Sequence, residues 1–175
     1  MNMDYKGAIK RSMEKLAKDK KVIFIGYSIK HGCANGTLKD IPDKMKIETP
    51  VAENLMVGLG MGMSLEGFKP VIFFERFDFV LNAMDGIVNH LDKIDELSNG
   101  QFNYPLIIRV EVGSQRPILS GITHIQDYTA SLKKMVKFKI LTPKTPKEVL
   151  EAYKIASKTK KPIMIVEQRD LYNTI

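Results

Sequence analysis

In the stretch "ETPVAENLMVGLGMGMSLEGFKP", from Glu48 to Pro70, the acid Glu53 stands at the mouth of a segment that is otherwise apolar or small. No residue from Leu55 to Leu65 carries a charge. A carboxylate beside such a surface is costly to desolvate, so Glu53 either reaches solvent, rests on a helix dipole, or meets a hydrogen-bonding partner. Three imidazoles can move protons near neutral pH: His31 in "KHGCANG", His90 in "VNHL" and His124 in "SGITHIQD". The lone Cys33 leaves no internal disulfide and no cysteine-built metal site, in agreement with a reducing compartment. The run "GLGMG" is a weak match to a dinucleotide-binding turn, because it falls inside a helix and lacks the final glycine.

These residues need elements to hold them. Helical periodicity covers about Tyr5 to Lys18, and "KVIFIG" reads as a buried strand. "KMKIE" is a short extended piece before the helix that carries Glu53. Thr49 suits its cap, Pro50 its first position and Gly67 its exit. Gly58, Gly60 and Gly62 each cost about 1 kcal/mol relative to alanine in a helix. They predict a helix buried on most sides, with another backbone close by. "KPVIFFE" is a strand, "FVLNAMDGIVNHLDKIDEL" a long amphipathic helix and "YPLIIRVEV" a strand. After the loop "GSQRPILSGITHIQD" come a helix at "YTASLKKM", a strand at "FKILTP", a helix opened by Thr145 and Pro146, and a last strand at "PIMIVEQ". Apolar strands alternating with helices predict an α/β fold: one three-layer domain, its mostly parallel sheet covered by helices on both faces. In such sheets ligands sit at the carboxyl ends of the strands, here around Gly26, Phe74 to Phe77, and Gly113 to Asp127.

The 175 residues suit one domain with a real core and are too few for two ordinary ones. No run is apolar for long enough to cross a bilayer and the first 20 residues lack a signal-peptide core, so a cytoplasmic protein is expected. The net charge of +7 is spread along helix faces and near both ends, away from aromatics. That pattern reads as solvated surface, or as a face for an acidic partner or phosphorylated ligand, rather than a nucleic-acid groove.

In its order of pieces, from "KVIFIG" through "ETPVAENLMVGLGMGMSLEGFKPVIFFERFDFVLNAMDGIVNHLDK" to "PIMIVEQ", the chain resembles the pyrimidine-binding domain of thiamin-diphosphate enzymes. It is most similar to the beta subunit of pyruvate dehydrogenase-type 2-oxo acid dehydrogenases, within the transketolase-like superfamily. The resemblance implies that residues 1–175 form one such domain, with an N-terminal helix over 1–18 and a core over 21–168. It implies that Glu53 is catalytic. That glutamate hydrogen-bonds a ring nitrogen of the aminopyrimidine, favouring the tautomer that deprotonates the thiazolium carbon to give the nucleophilic ylide. Phe74 and Phe77 match the aromatic pair against the pyrimidine, whereas Phe73 and Phe79 read as core filling. His124 matches the family's active-site histidine, with a solvent-facing loop histidine as the other reading. His31 and Arg116 are candidates for substrate contact, Arg116 being equally compatible with solvent, and His90 reads as structural.

The chain departs from the family in two ways. "GYSIK" carries none of the acids usual after the first strand, and the protein is expected to do without the family's carboxyl-terminal domain. No "GDG" motif for diphosphate and Mg2+ is present; Asp85 and Gly86 fall mid-helix, and no metal ligand is expected here. The resemblance therefore implies a partner subunit carrying "GDG" and a downstream asparagine, which holds Mg2+ and the diphosphate. A heterotetramer or a homodimer of heterodimers is expected, with the glycine-rich helix as a subunit contact. The implied reaction is decarboxylation of a 2-oxo acid with transfer of the acyl or aldehyde unit. Ketol transfer by a split transketolase or deoxyxylulose-phosphate-synthase-like enzyme is the alternative, and a noncatalytic scaffold retaining the fold is the alternative of another class. A nucleic-acid binder is the remaining one.

Overall fold

The computed structural model describes residues 3–31, 34–113 and 121–174. Helix α1 (Tyr5–Leu16) leads into strand β1 (Val22–Gly26), and β2 (Lys46–Glu48) precedes helix α2 (Glu53–Leu65) and β3 (Lys69–Phe74). Next come a 3₁₀ segment (Phe77–Ala83), a wide π turn (Gly86–Leu91) and the short helix α3 (Ile94–Leu97). Strand β4 (Ile107–Val112), helix α4 (Thr129–Met135), β5 (Lys139–Leu141), α5 (Pro146–Lys158) and β6 (Ile163–Gln168) complete the chain. All six strands run parallel in the order β2-β1-β3-β4-β6-β5. The α/β fold with helices on both faces is thus as the sequence predicts.

Alternation along the strands divides the core. Phe24, Phe73, Ile107 and Ile165 pack with Tyr5, Ile9 and Val149 under α1 and α5. Ile25, Ile72, Ile108 and Val166 face the other way, against Met56 and Val57 of α2, Ile87 and Leu132. Burying each such side chain fully contributes about 1.5–3 kcal/mol, and the period of two makes any register slip expose a whole face.

Local chemistry explains where elements begin and end. The Thr145 hydroxyl accepts a bond from Glu148 N (3.2 Å), and Pro146 occupies the first turn of α5. Gly67, at φ +82°, ends α2: its N–H bonds to Ser64 O (3.1 Å) and that of Phe68 to Met63 O (3.0 Å), a Schellman closure. The start of α2 differs from the sequence reading. Thr49 donates its N–H to Gly26 O (3.0 Å), continuing the β1–β2 ladder, and its hydroxyl caps nothing. The helix starts only at Glu53, so Pro50 lies outside it and Ala52 takes the cap position without a side-chain bond. The extended register past Glu48 delays the turn into helix.

The long helix expected after β3 is also corrected, since it breaks into 3₁₀, π and short α pieces. A Cβ on Gly86 would stand 3.1 Å from Val57 Cγ1, so the π turn brings the backbone close against α2. On α2 itself, Gly60 admits Ile72 and Leu106, which would lie 2.7 and 2.9 Å from an added Cβ. Gly58 and Gly62 have nothing within 4 Å of theirs. Among the described residues only one face of α2 is buried; Leu55 and Leu65 on the rest are 53% and 51% exposed.

The sheet also encloses charge. Arg109 Nε and Nη2 donate to Glu167 at 2.8 and 2.9 Å, both side chains fully buried, and the hydroxyls of Tyr153 and Tyr172 donate to the same carboxylate. Burial opposes the Arg109 charge, yet Glu167 holds its pKa above the ordinary value. Burial, reinforced by Glu167, pushes both tyrosines well up as well. At the carboxyl end of β4 the buried Glu111 pairs with Arg76 and accepts from Asn35 (3.1 Å), which in turn accepts from Arg169 (2.7 Å). These bonds tie the segments after three strands to one anchor.

Candidate functional site

A cavity of about 240 Å³ opens at the carboxyl ends of β1 and β3. Tyr27 follows β1, Val51 precedes α2, Glu53 and Met56 come from the first turn of α2, Phe74 and Phe79 supply aromatic walls, and Phe73, read from sequence as core, and Glu75 also line it. This is where a parallel sheet leaves its strand ends open to a ligand.

Glu53 is the first residue of α2, where the positive end of the helix dipole favours a carboxylate. Asn82, in the 3₁₀ segment, donates Nδ2–H to Glu53 Oε2 at 3.3 Å. Oε1 accepts no hydrogen bond from the described residues. The carboxylate is half-buried against Met56 and the ring walls, so it is oriented but still open to a ligand.

The aromatic residues are arranged differently from the sequence reading. Phe74 is 2% exposed and lines the cavity from the end of β3. Phe77 is 1% exposed and packs edge-on against Tyr128, with centroids 5.9 Å apart, within the core on the α2 side. Phe79, read from sequence as core, is half-buried and lines the cavity instead. Phe79 also meets the His124 imidazole edge-on, at 5.3 Å and 86°. One ring is therefore shared between the Glu53 cavity and His124.

The His124 loop is held at several points. Its N–H donates to Gly121 O (3.0 Å), and Nδ1 lies 2.9 Å from Thr123 Oγ1. Gln126 N–H donates to Asp78 Oδ1 (3.4 Å), which couples the loop to the same 3₁₀ segment that carries Phe79 and Asn82. On the other side, the Glu48 carboxylate accepts from Ser28 N and from Lys30 N (2.9 Å). That clamp fixes the turn carrying Tyr27, with Ser28 at φ +58°.

His31 is exposed and is not among the residues that line the cavity. His90 is exposed on the π turn, with Nε2 3.4 Å from Asp85 Oδ2. Arg116 and Cys33 lie outside the described residues. Among the described residues no cluster of three or more His, Cys, Asp or Glu side chains is placed to hold a metal ion, and no helix is long and apolar enough to cross a membrane.

Sequence reasoning missed Tyr27, Phe79, Asn82 and the Glu48 clamp. Tyr27 was within reach, because it follows a strand-ending glycine at the edge where ligands bind. Phe79 was not, because on a 3₁₀ turn residues two apart take different sides and nothing in "FDF" says which faces the cavity.

A family model described as transketolase, pyrimidine binding domain, matches residues 1–174. The pyruvate dehydrogenase E1 component subunit beta-1, mitochondrial, of Oryza sativa subsp. japonica is 30% identical over 165 residues, covering 91% of this chain and 43% of the relative. The pyruvate dehydrogenase E1 component subunit beta of Rickettsia conorii is 28% identical, covering 98% of this chain and 54% of its own. The 2-oxoisovalerate dehydrogenase subunit beta of Bacillus subtilis is 26% identical, covering 99% and 54%. Among solved structures, a split gene transketolase in an inactive beta4 tetramer superposes with a TM-score of 0.73 at 15% identity, over 97% of this chain and 53% of that one, a likeness of fold. The chain spans about half the length of the curated relatives it matches. With a six-stranded parallel sheet and a family match that runs through residue 174, the chain belongs to the transketolase pyrimidine-binding domain family.

Proposed function

We propose that this chain is the pyrimidine-binding part of a split thiamin-diphosphate-dependent enzyme that decarboxylates a 2-oxo acid and passes on the acyl or aldehyde unit. The observation that carries the reading is the placement of Glu53: a carboxylate at a helix start that lines an aromatic-walled cavity, with one oxygen held by Asn82 and the other accepting no hydrogen bond from the described residues. The residues fit an aminopyrimidine. Among the described residues nothing donates to Glu53 Oε1, which leaves it available to a ring nitrogen, and Phe79, Phe74 and Tyr27 offer ring surface to a flat heterocycle. At about 240 Å³ the cavity is smaller than the roughly 300–1,000 Å³ of sites that enclose a drug-sized ligand, so it suits one small ring and leaves the remainder to another surface.

When bound, thiamin diphosphate supplies a carbon nucleophile for the substrate carbonyl. Glu53 would share a proton with the ring, the aromatic walls beside it limiting the competition from water once the ring is seated. His124, held by the Asp78-anchored loop and the Phe79 ring, serves to move a proton at a substrate oxygen. Mg2+ and the diphosphate fall to a partner subunit bearing "GDG" and a downstream asparagine. The outer face of α2 supports such a partner: Val51, Leu55 and Leu65 are exposed, and Gly58 and Gly62 leave room for a close backbone. The sequence relatives are dehydrogenase beta subunits, which favours the 2-oxo acid reaction over ketol transfer.

Affinity capture of the tagged chain from its own cells, with mass spectrometry of what copurifies, tests this reading. A stoichiometric "GDG" subunit, and thiamin diphosphate with Mg2+ bound by the pair, are the expected results. A chain that comes down alone and binds no thiamin diphosphate with Mg2+ overturns it in favour of a scaffold role.

A further inference from the structure

The charge that looks dispersed along the chain is gathered by the fold. Residues 6–21 and 144–161 hold 13 of the 27 lysines and arginines but only four of the 20 acidic residues. The remaining 14 basic and 16 acidic residues nearly cancel, so the whole net charge of +7 comes from these two segments. They are α1 and α5 with their flanks, which pack side by side on one face of the sheet. Between the two helices runs an open groove of about 500 Å³. Leu16 and Leu150 contribute apolar surface to it, and Lys15, Lys147 and Lys154 stand along its sides. Lys154 is paired with Glu151 (3.1 Å), whereas Lys15 and Lys147 have no ion-pair partner among the described residues. This face lies opposite the α2 face, so it stands apart from the Glu53 cavity and from the partner surface described above.

We infer that the α1/α5 groove is a docking surface for an acidic amphipathic helix of a protein partner. The positions Lys147, Leu150, Lys154 and Ser157 recur at helical spacing, so the groove follows α5 for about 15 Å, enough for three turns of a third helix. Leucine between lysines asks for apolar anchors flanked by carboxylates. Nucleic acid is a poorer match: both tyrosines of these helices are buried, leaving no stacking platform, and 12 of the 13 cations are lysine. A membrane surface is poorer too, because the leucines are recessed and the only large apolar side chain exposed on α1 or α5 is Ile155.

Fluorescence anisotropy on the full chain tests the assignment with four probes. These are a labelled peptide of about 15 residues with leucine at helical i, i+4 spacing and glutamate between, a leucine-to-serine version, a glutamate-to-lysine version, and a short DNA duplex. Vesicles containing phosphatidylserine form a fifth, by cosedimentation. The acidic leucine peptide is expected to bind, and both the serine version and the Lys15→Glu/Lys147→Glu chain to weaken binding by at least about tenfold. Both lysines are exposed, so charge reversal leaves the core untouched and circular dichroism checks the fold. Absence of peptide binding overturns the inference, as does equal binding of the serine version or by the charge-reversed chain. Tighter binding of the duplex or vesicles overturns it in favour of nucleic acid or membrane.

Discussion

Asn82 Nδ2 donates to Glu53 Oε2 across 3.3 Å, from a 3₁₀ segment to the first residue of α2. The same segment places Phe79 against His124 and uses Asp78 to take the Gln126 N–H. Seven residues between β3 and the π turn therefore orient a carboxylate, an aromatic wall and an imidazole loop together.

On the proposed function, Asn82→Ala frees the Glu53 carboxylate to rotate. Turnover by the assembled enzyme is expected to fall about tenfold, with thermal stability changed by no more than about 0.5 kcal/mol because the amide is exposed. Glu53→Gln is expected to lose far more turnover with assembly preserved. Steady-state rates beside urea unfolding of the two variants check both, and an unaltered rate in Glu53→Gln removes the catalytic reading.

The two phenylalanines of "FDF" should separate cleanly. Phe77→Ala empties a packed site against Tyr128 and is expected to cost about 3–5 kcal/mol of folding stability. Phe79→Ala removes a half-exposed ring, costs less stability, and weakens thiamin diphosphate binding by the assembled pair. Urea midpoints and calorimetry on the two variants distinguish the roles; the reverse pattern would restore Phe77 as the ring-facing residue.

What could be read in advance follows from how local the cause is. The parallel sheet was legible because apolar runs such as "KPVIFF" and "IMIV" are bounded by turn residues, and α5 because Thr145 and Pro146 signal a start within four residues. Glu53 stood out as an acid in an apolar run, but the local residues left its role open and only the family resemblance pointed to the cofactor. The onset of α2 was not, since it depends on Thr49 pairing with Gly26, a contact between segments 23 residues apart. Phe79 and Asn82 depend on a helix breaking into 3₁₀ and π turns where Gly86 passes close over α2, a contact between distant segments. The buried charges left a trace in "IIRVEV", where Arg109 and Glu111 alternate within a central strand, but Glu167 as the partner of Arg109 becomes visible only with β4 and β6 side by side.

That pair carries its own expectation. Glu167→Gln keeps the shape of the side chain but leaves the Arg109 guanidinium buried without its counter-charge and changes what the Tyr153 and Tyr172 hydroxyls donate to. A loss of about 3–5 kcal/mol is expected. Adding Arg109→Met to Glu167→Gln should recover part of it, because the stranded charge is removed while the glutamine carbonyl can still accept from a tyrosine hydroxyl. Equilibrium urea unfolding of the single and double variants measures this; a double variant as unstable as the single one contradicts it.

Asp92 makes acid sensitivity local. Its buried carboxyl accepts from Lys137 N (2.6 Å) and Phe138 N (3.2 Å), joining the end of the π turn to the start of β5. Burial opposes its ionisation, but Lys93 and these two N–H donors outweigh that and hold its pKa below the usual carboxylate range. Because the folded value lies below the unfolded one, the stabilisation is complete above the ordinary aspartate pKa of about 3.9 and is lost as the pH falls through the lowered folded value. Asp92→Asn is therefore expected to lose about 1–2 kcal/mol at neutral pH. The gap to the parent chain should narrow steadily once the pH drops below about 4, as the parent's own carboxyl becomes protonated. Urea midpoints of both chains from pH 7 downward measure the gap, and a difference that stays constant through the acid range would show that the ionised Asp92 carboxylate does not tie these segments together.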